Sequence, residues 1–571
     1  MTGLQALRAS GLLRAFGAAG LLVPADVHVA LRLGEFVGEP DERVLLAIAL
    51  TVRNTRHGSV VLDLADAATT ITPDTDDGEP VDVSALPWPA VEAWVAACAA
   101  SPVVRDGGPL HLVGARLWLD RYWQQEAFVA ADLRRRSADR PADVDMAVLD
   151  ADLDALFPDA EQRRATRNAV TSRVSVIGGG PGTGKTTTIA RLVTTLRRQR
   201  PTLRIALAAP TGKAAARLQE AVELPASTLH RLLGSRPDAR SRFRHDRDNR
   251  LPFDAVVVDE CSMVSLTMMT RLLEALPPTA RLVLVGDPDQ LASVEAGAVL
   301  SDLVDGLPGE SVAMLRTVYR FEAGGSIARL AARVRDGQAD EALEMLRAQP
   351  AGIAFHPAPD DAPVSGAALQ VLREQTAHEL AVIEAARSGD VPAALDALDR
   401  HRMLCAHRSG PRGVQRWSDA IERWLTVDDP QLAPRLDGRY AGQPLLVTSN
   451  DYENGLFNGD TGVVVQHGDD LVAAFRRGGT PVLLPLVRLA DVRPMHVMTV
   501  HRAQGSQFKE VTVLLPPATS PLATRQTFYT AITRASERVR VIGSEEAVLA
   551  CVNRPAARAT GLRDRLTGRL G

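Results

Sequence analysis

Short runs of consecutive apolar residues alternate along this chain with longer stretches whose apolar positions recur every three or four residues. Four such runs fall at residues 173–177, 204–208, 255–259 and 281–286, with helical patterns between them. A strand covered by helices on both faces has no polar side to show, so it reads as a continuous apolar run. The alternation therefore predicts a parallel α/β sheet with crossover helices. A second set follows at 402–406, 445–448, 497–500, 511–515 and 539–543. Between 448 and 495 the texture changes to Asn-Gly and Gly-Gly turns with short β runs at 462–466 and 471–475. That pattern predicts a small all-β insert. Residues 1–20 mix Ala, Leu and Gly with Arg8 and Arg14, which fits an amphipathic helix better than a signal peptide. No repeat of fixed period is present.

At 571 residues the chain exceeds one ordinary core, and two to four domains are expected. No run of 18 apolar residues predicts a membrane span. The four cysteines are scattered without a C-x-x-C pair, which supports neither a zinc site nor a disulfide framework and fits a reducing cytoplasm. The net charge of −4 argues against a globally basic nucleic-acid binder, yet the charge is uneven. Residues 57–104 carry eight Asp/Glu and no Lys/Arg, whereas residues 231–250 carry seven Arg and three Asp. The first stretch would repel DNA and the second attract it. Trp88 and Trp94, within the acidic stretch, read as exposed aromatics suited to a protein interface.

Of 65 basic residues only Lys185, Lys213 and Lys509 are lysine. Where lysine persists against such a bias, a compact ammonium is needed in place of a planar guanidinium. Lys185 closes Gly179-Gly180-Pro181-Gly182-Thr183-Gly184-Lys185-Thr186, the G-x-x-x-x-G-K-[ST] phosphate-binding loop, followed by Thr187. A β-branched run precedes it, and apolar positions at Ile189, Leu192, Val193 and Leu196 follow at helical spacing. The loop thus aims backbone N–H groups and a helix N-terminus at a polyphosphate. ATP and Mg²⁺ are the expected cofactors, with Thr186 on the metal.

Val256-Val257-Val258-Asp259-Glu260 is an apolar strand ending in two carboxylates. A strand end beside the loop places Asp259 to hold magnesium and Glu260 to deprotonate the attacking water. The segment from Leu284 to Leu291 repeats the arrangement, and the Gln290 amide can both donate to a γ-phosphate and accept from water. Arg320 and Arg534 are candidates for stabilising charge on the transferred phosphoryl group from a second domain.

In their order these segments resemble superfamily 1 helicases of the 5′→3′ (1B) branch. The nearest resemblance is to the RecD family, alpha subunits of the exonuclease V (RecBCD) complex, over roughly residues 110–545. Gln162 fits the family's adenine-reading glutamine. Pro210, Thr211, Gly212 and Lys213, with Thr228 and His230, fit its single-strand-binding motifs. Asn450 lies in the segment entering an SH3-like insert, and Thr499, His501 and Gly505 lie in its fifth motif. The resemblance implies two RecA-like motor domains with ATP between them, an SH3-like β insert, a mainly helical N-terminal domain, and 5′→3′ movement on single-stranded DNA. It further implies RecB-like and RecC-like partners in a heterotrimer. The expected divisions are 1–115 for partner docking, 116–322 for the first motor domain, and 323–571 for the second, interrupted by 449–494.

Other readings fare less well. No asparagine precedes a lysine, as a GTPase's N-K-x-D motif requires, and the L-S-G-G-Q signature of transporter ATPases is absent. A stand-alone helicase and a non-hydrolysing ATP-dependent clamp are the alternatives. Glu260 and Arg534 argue against the clamp, since binding alone needs neither. A nuclease site of the acid-x-Lys type is not expected, because Thr183, Thr211 and Gln507 stand two positions before the three lysines.

Overall fold

The computed structural model describes every residue except 1–8, 74–82, 106, 237–238, 320–324, 431, 433–437, 452, 478, 557 and 571. Six parallel strands form the first large sheet, in the order Val312–Leu315, Val174–Gly179, Arg281–Gly286, Ala255–Val258, Ile205–Ala209 and Ala226–Thr228. Every residue of Val174–Gly179, Ala255–Val258 and Arg281–Gly286 is buried, which is why each run is apolar throughout. Successive side chains still face opposite layers. Ile177, Val257 and Val285 meet Ile189, Leu192 and Leu196 of helix Lys185–Gln199. Val176, Val256 and Leu284 enter a second cluster with Leu272 and Leu303. The sequence reading missed Ala226–Thr228 and Val312–Leu315, which are only three and four residues long.

The second large sheet is also fully parallel, in the order Ile353–Pro357, Ala535–Gly543, Phe508–Leu514, His401–Cys405 and Val497–Thr499. The run at 445–448 does not belong to it. Strand Pro444–Val447 pairs antiparallel with Thr461–His467 and Val492–Pro494, inside a five-stranded sheet completed by Asp470–Arg477 and Thr480–Pro485. Leu445 and Val447 pack in the small sheet's core, while Leu446 packs with Leu404 and Met495 in the core beside the second parallel sheet. A strand serving two cores is apolar on both faces, so its sequence imitates a buried parallel strand.

In the N-terminal region, helices Gly11–Ala18, Pro24–Val37, Glu42–Arg56 and Val91–Ala100 pack with an antiparallel sheet of Val61–Asp63, Arg116–Leu119 and Leu110–Val113. In Arg116–Leu119, Leu117 faces this core and Trp118 faces the core of the first parallel sheet, so one strand serves both. Trp94 corrects the expectation of an exposed aromatic: it is 1% exposed and its Nε1 donates to Arg43 O at 2.8 Å. Trp88 is half-buried, donates to Val83 O at 2.8 Å, and meets Phe16 edge-on at 4.6 Å. Five of the eight acidic residues in 57–104 lie outside the described residues.

The chain beyond helix Glu545–Asn553 leaves the second sheet, a path the 323–571 division did not anticipate. Ala559 O accepts from Val60 N at 2.9 Å, Gly561 N donates to Glu126 Oε1 at 2.7 Å, and Asp564 pairs with Arg116 at 2.7 Å. Leu562, Leu566 and Leu570 enter the cluster of Trp118, Val129 and Leu303. Burying each leucine contributes about 1.5–3 kcal/mol, enough to hold the return. Among the described residues no helix is long and apolar enough to cross a membrane.

Candidate active site between the two parallel sheets

Strand Val174–Gly179 ends in the glycine loop, and helix Lys185–Gln199 begins at Lys185 with Gly184 as its cap. Gly182 and Gly184 both have φ of 81°, a left-handed conformation that a side chain resists. Gly180 is needed for space instead: a Cβ there would lie 2.8 Å from the Tyr529 hydroxyl. Thr183 Oγ1 donates to Gly180 O at 2.8 Å and braces the loop. Lys185 Nζ donates to Gly179 O at 2.6 Å and Gly180 O at 2.9 Å, so the ammonium rests on the loop's own carbonyls. Pro181 and Thr186 are half-buried and Thr187 is exposed.

Gln162 stands at the start of helix Ala160–Thr171, where Asp159 caps by accepting from Gln162 N at 3.0 Å. Its amide reaches the loop, since a Cβ on Gly184 would lie 2.8 Å from Gln162 Nε2. Tyr319 is a residue whose position the motifs did not indicate. Its N–H donates to Gly182 O at 2.8 Å, and its side chain, 54% exposed, stands beside Gly184. An open ring face next to an amide suits a planar base. Arg320 lies outside the described residues.

Asp259 follows the end of strand Ala255–Val258 and is 8% exposed; its Oδ1 accepts from Glu260 N at 2.8 Å. Burial, and then the neighbouring Glu260 carboxylate, push its acid up to about 7, while Lys185 pulls it down. A hard dication would hold such an acid ionised. Magnesium takes one or two protein oxygens and completes its octahedron with phosphate and water, so Asp259 and the Thr186 hydroxyl fit it. Glu260 has φ of 53°, a left-handed backbone rare for a side-chain-bearing residue and typical of strained functional sites.

On the same sheet, just after strand Arg281–Gly286, Asp287 is fully buried and accepts from Gln290 Nε2 at 2.9 Å, Asp289 N at 3.1 Å and the Tyr529 hydroxyl at 3.1 Å. Leu291 N donates to Thr530 Oγ1 at 2.9 Å, and Gln504 Nε2 donates to Leu291 O at 2.5 Å. Helix Arg525–Ile532 of the second domain is thereby fastened to the turn carrying Gln290. Arg534, 3% exposed, donates to Thr530 O at 3.1 Å and Ser506 O at 3.2 Å. Burial lowers its pKa, and Glu260 and Asp287 oppose that shift, which places the guanidinium in their field. Gly505, φ 71°, accepts at its carbonyl from Arg217 of the first domain. A cleft of about 400 Å³ opens between Gly179, Gly180, Asp289 and Arg316 on one side and Arg335 and Asp336 on the other.

Apart from Asn450, which follows a strand of the small antiparallel sheet, the strand-contact candidates lie at or just after C-terminal strand ends, where open α/β sheets bind ligands. Pro210 and Thr211 follow Ile205–Ala209, and Thr211 Oγ1 caps the next helix from Ala214 N at 3.3 Å. A Cβ on Gly212 would lie 2.4 Å from the Phe457 ring, so the small sheet's loop presses on the first domain there. Lys213 is half-buried, and burial, then Arg217, push its ammonium down to about 8. Thr228 Oγ1 accepts from Arg231 N at 3.2 Å; His230 lies 5.8 Å from the Phe243 ring and burial lowers its pKa. Asn450 is exposed and its Oδ1 accepts from Asn458 N at 2.9 Å. Thr499 Oγ1 accepts from Arg502 N at 3.3 Å, and burial, then Arg558 and Arg408, push His501 down to about 4.

Three family descriptions match separate segments: an AAA domain over 158–355, a UvrD-like helicase C-terminal domain over 494–542, and the N-terminal domain of RecBCD enzyme subunit RecD over 18–118. The RecBCD enzyme subunit RecD of Mycolicibacterium smegmatis is 50% identical, over 97% of this chain and 99% of its own. That of Mycobacterium tuberculosis H37Rv is 49% identical, over 98% of each chain. The ATP-dependent RecD2 DNA helicase of Deinococcus radiodurans is 35% identical, over 69% of this chain and 50% of its own. Half the positions are thus shared over nearly full length, from the N-terminal helices through the motor, and the chain belongs to the RecD family.

Proposed function

We infer that this chain is an ATP-hydrolysing 5′→3′ single-stranded DNA translocase and helicase. It acts as a subunit of a cytoplasmic RecBCD (exonuclease V) complex, beside RecB-like and RecC-like chains, in unwinding and processing double-strand DNA ends for recombinational repair. The observation that carries the reading is the meeting of both parallel sheets at one phosphate loop: Tyr529 touches Asp287 and overlies Gly180, and Arg534 lies in the field of Glu260. Residues 116–322 and 323–571 act as the two motor domains, the stretch beyond Asn553 returning to pack on the first, with 449–494 as the insert and 1–115 as the partner-docking part.

ATP enters with its base against Gln162 and Tyr319 and its phosphates over Gly179–Thr187. Lys185 exchanges the two loop carbonyls for β- and γ-phosphate oxygens. Asp259 and Thr186 are the residues that hold magnesium, which supplies neutralisation of phosphate charge when bound. Glu260 takes a proton from water as its oxygen bonds to the γ-phosphorus and the bond to the bridging oxygen breaks. Arg534, and by resemblance Arg320, stabilise the charge that develops. Loss of the γ-phosphate is felt by Gln290 and Asp287 and passed through Tyr529 and Thr530 to the second domain. Two domains that open and close in this way move a strand lying over Pro210–Lys213, Thr228, His230, Asn450, Thr499 and His501.

Displacement of streptavidin from biotinylated oligothymidylate tests direction. ATP should speed release from the 3′ end and leave the 5′ end unaffected. Faster release from the 5′ end alone would reverse the polarity, and no ATP-dependent release from either end would refute translocation.

A further inference from the structure

The two ends of the Gln162 side-chain amide meet different surroundings. Arg191 Nη1 donates to Gln162 Oε1 at 3.3 Å. Gln162 Nε2 makes no hydrogen bond among the described residues and turns toward Gly184, where a Cβ would lie 2.8 Å from it and 3.6 Å from the Tyr319 ring. The residue is 4% exposed, so this open donor is aimed into the slot beside the phosphate loop and not at bulk water.

Two helices and a ring place the arginine. Arg191 lies in helix Lys185–Gln199, about two turns beyond the cap Gly184 and on the same face. Helix Ala160–Thr171, which carries Gln162, packs beside it. The guanidinium carbon stands 6.0 Å from the ring centre of Phe157, which is fully buried where helix Met146–Leu156 ends. The half-buried Arg191 forms no ion pair among the described residues, so no carboxylate draws it off the amide.

A guanidinium carries five N–H donors and no acceptor. It can face only the oxygen of an amide, so Arg191 settles which end of Gln162 is which. Adenine shows a donor at N6 and an acceptor at N7. A glutamine amide reads both when its oxygen takes the N6 hydrogen and its nitrogen gives to N7. The carbonyl keeps a second lone pair for N6 while Arg191 holds the first. A 6-oxopurine shows acceptors at both places. An amide free to turn would offer it both hydrogens of the NH₂ group, whereas one held by its oxygen meets O6 with like charge.

We propose that Arg191 is a positioning residue for base selection: by holding Gln162 Oε1 it fixes the amide in the orientation that accepts a 6-aminopurine and rejects a 6-oxopurine. The proposal rests on the reading of this cleft as an ATP site and adds what sets the choice of purine.

Competition of ADP and IDP against a fluorescent ADP, with the full chain and Mg²⁺, tests it. IDP carries a 6-oxo group and a proton on N1, and has no 2-amino group to add contacts. The parent should prefer ADP. Arg191→Leu, which keeps apolar cover over Phe157, should lower the ADP-to-IDP affinity ratio by about fivefold or more, the low end of what an amide–adenine pair discriminates. Arg191→Lys, whose ammonium is likewise a donor only, should keep most of the ratio. In a Gln162→Ala background Arg191→Leu should change the ratio no further, because the arginine acts through the amide. If Arg191→Leu does not fold, Arg191→Gln takes its place, since an amide that both donates and accepts cannot fix its neighbour. A residue that only packs would weaken ADP and IDP alike and leave the ratio where it was. That outcome, a further loss on top of Gln162→Ala, or equal binding of ADP and IDP by the parent would overturn the selector while leaving the motor reading intact. A parent chain that binds neither nucleotide would overturn the ATP reading as well.

Discussion

The Tyr529 hydroxyl donates to Asp287 Oδ2 at 3.1 Å, joining a second-domain helix to the turn that carries Gln290. Burial, and then Asp287, raise the phenol's pKa well above its ordinary value, so it stays a donor. Removing the hydroxyl in Tyr529→Phe keeps the ring but cuts the link. DNA-stimulated kcat should fall several-fold while KM for ATP stays within about twofold, since the contact transmits hydrolysis more than it binds nucleotide. A raised KM with normal kcat would place the hydroxyl in ground-state binding.

Arg534→Ala should lower kcat by about 10³-fold, near 4 kcal/mol of barrier, with far less effect on ATP affinity. Steady-state kinetics beside equilibrium binding of a non-hydrolysable analogue separate the two. Weak analogue binding with normal kcat would contradict a transition-state role.

His496, 2% exposed, lies 3.4 Å from Glu379 and 3.5 Å from Glu422, with the Tyr440 hydroxyl 3.0 Å away. Burial lowers its pKa, yet the two carboxylates outweigh burial and bring it up to about 9; Arg402 and His378 also act on Glu379. The folded pKa is above the unfolded one. The stabilisation is therefore full below the ordinary histidine value and is lost as pH rises through about 9. Thermal melts should show the parent's Tm falling more steeply than that of His496→Gln between neutral pH and the folded pKa. Parallel profiles would contradict the charged network.

The chain should cut no DNA. Thr183, Thr211 and Gln507 precede the three lysines where an acid-x-Lys nuclease needs a carboxylate. End-labelled duplex incubated with the purified chain, Mg²⁺ and ATP should stay intact. Fragments that persist with inhibitors of contaminating nucleases and vanish in Glu260→Gln would refute this.

What the sequence disclosed follows the range of the interactions involved. The phosphate loop was legible because strand, glycines, lysine and helix are contiguous, and Asp259 and Glu260 because they end an apolar run. The Tyr529–Asp287 bond joins residues 242 positions apart and leaves no local pattern. Arg116–Asp564, separated by 448, leaves none either, so the C-terminal return was unseen. Pro444–Val447 was misplaced because apolarity on both faces does not distinguish parallel from antiparallel pairing. Trp94 was misread because its acidic neighbourhood suggested solvent, whereas its indole is anchored on Arg43 O.

The central claim is a DNA-driven ATP motor whose lysine handles phosphates. The most direct measurement is ATP turnover by the full chain with and without oligothymidylate, for the parent and for Lys185→Ala. The account predicts at least tenfold stimulation by DNA in the parent. It also predicts loss of turnover in the variant to below about a tenth, a change of at least ~1.4 kcal/mol in barrier, with nucleotide-free DNA binding retained. Turnover indifferent to DNA, or a variant that still hydrolyses above a tenth of the parent rate, would contradict it.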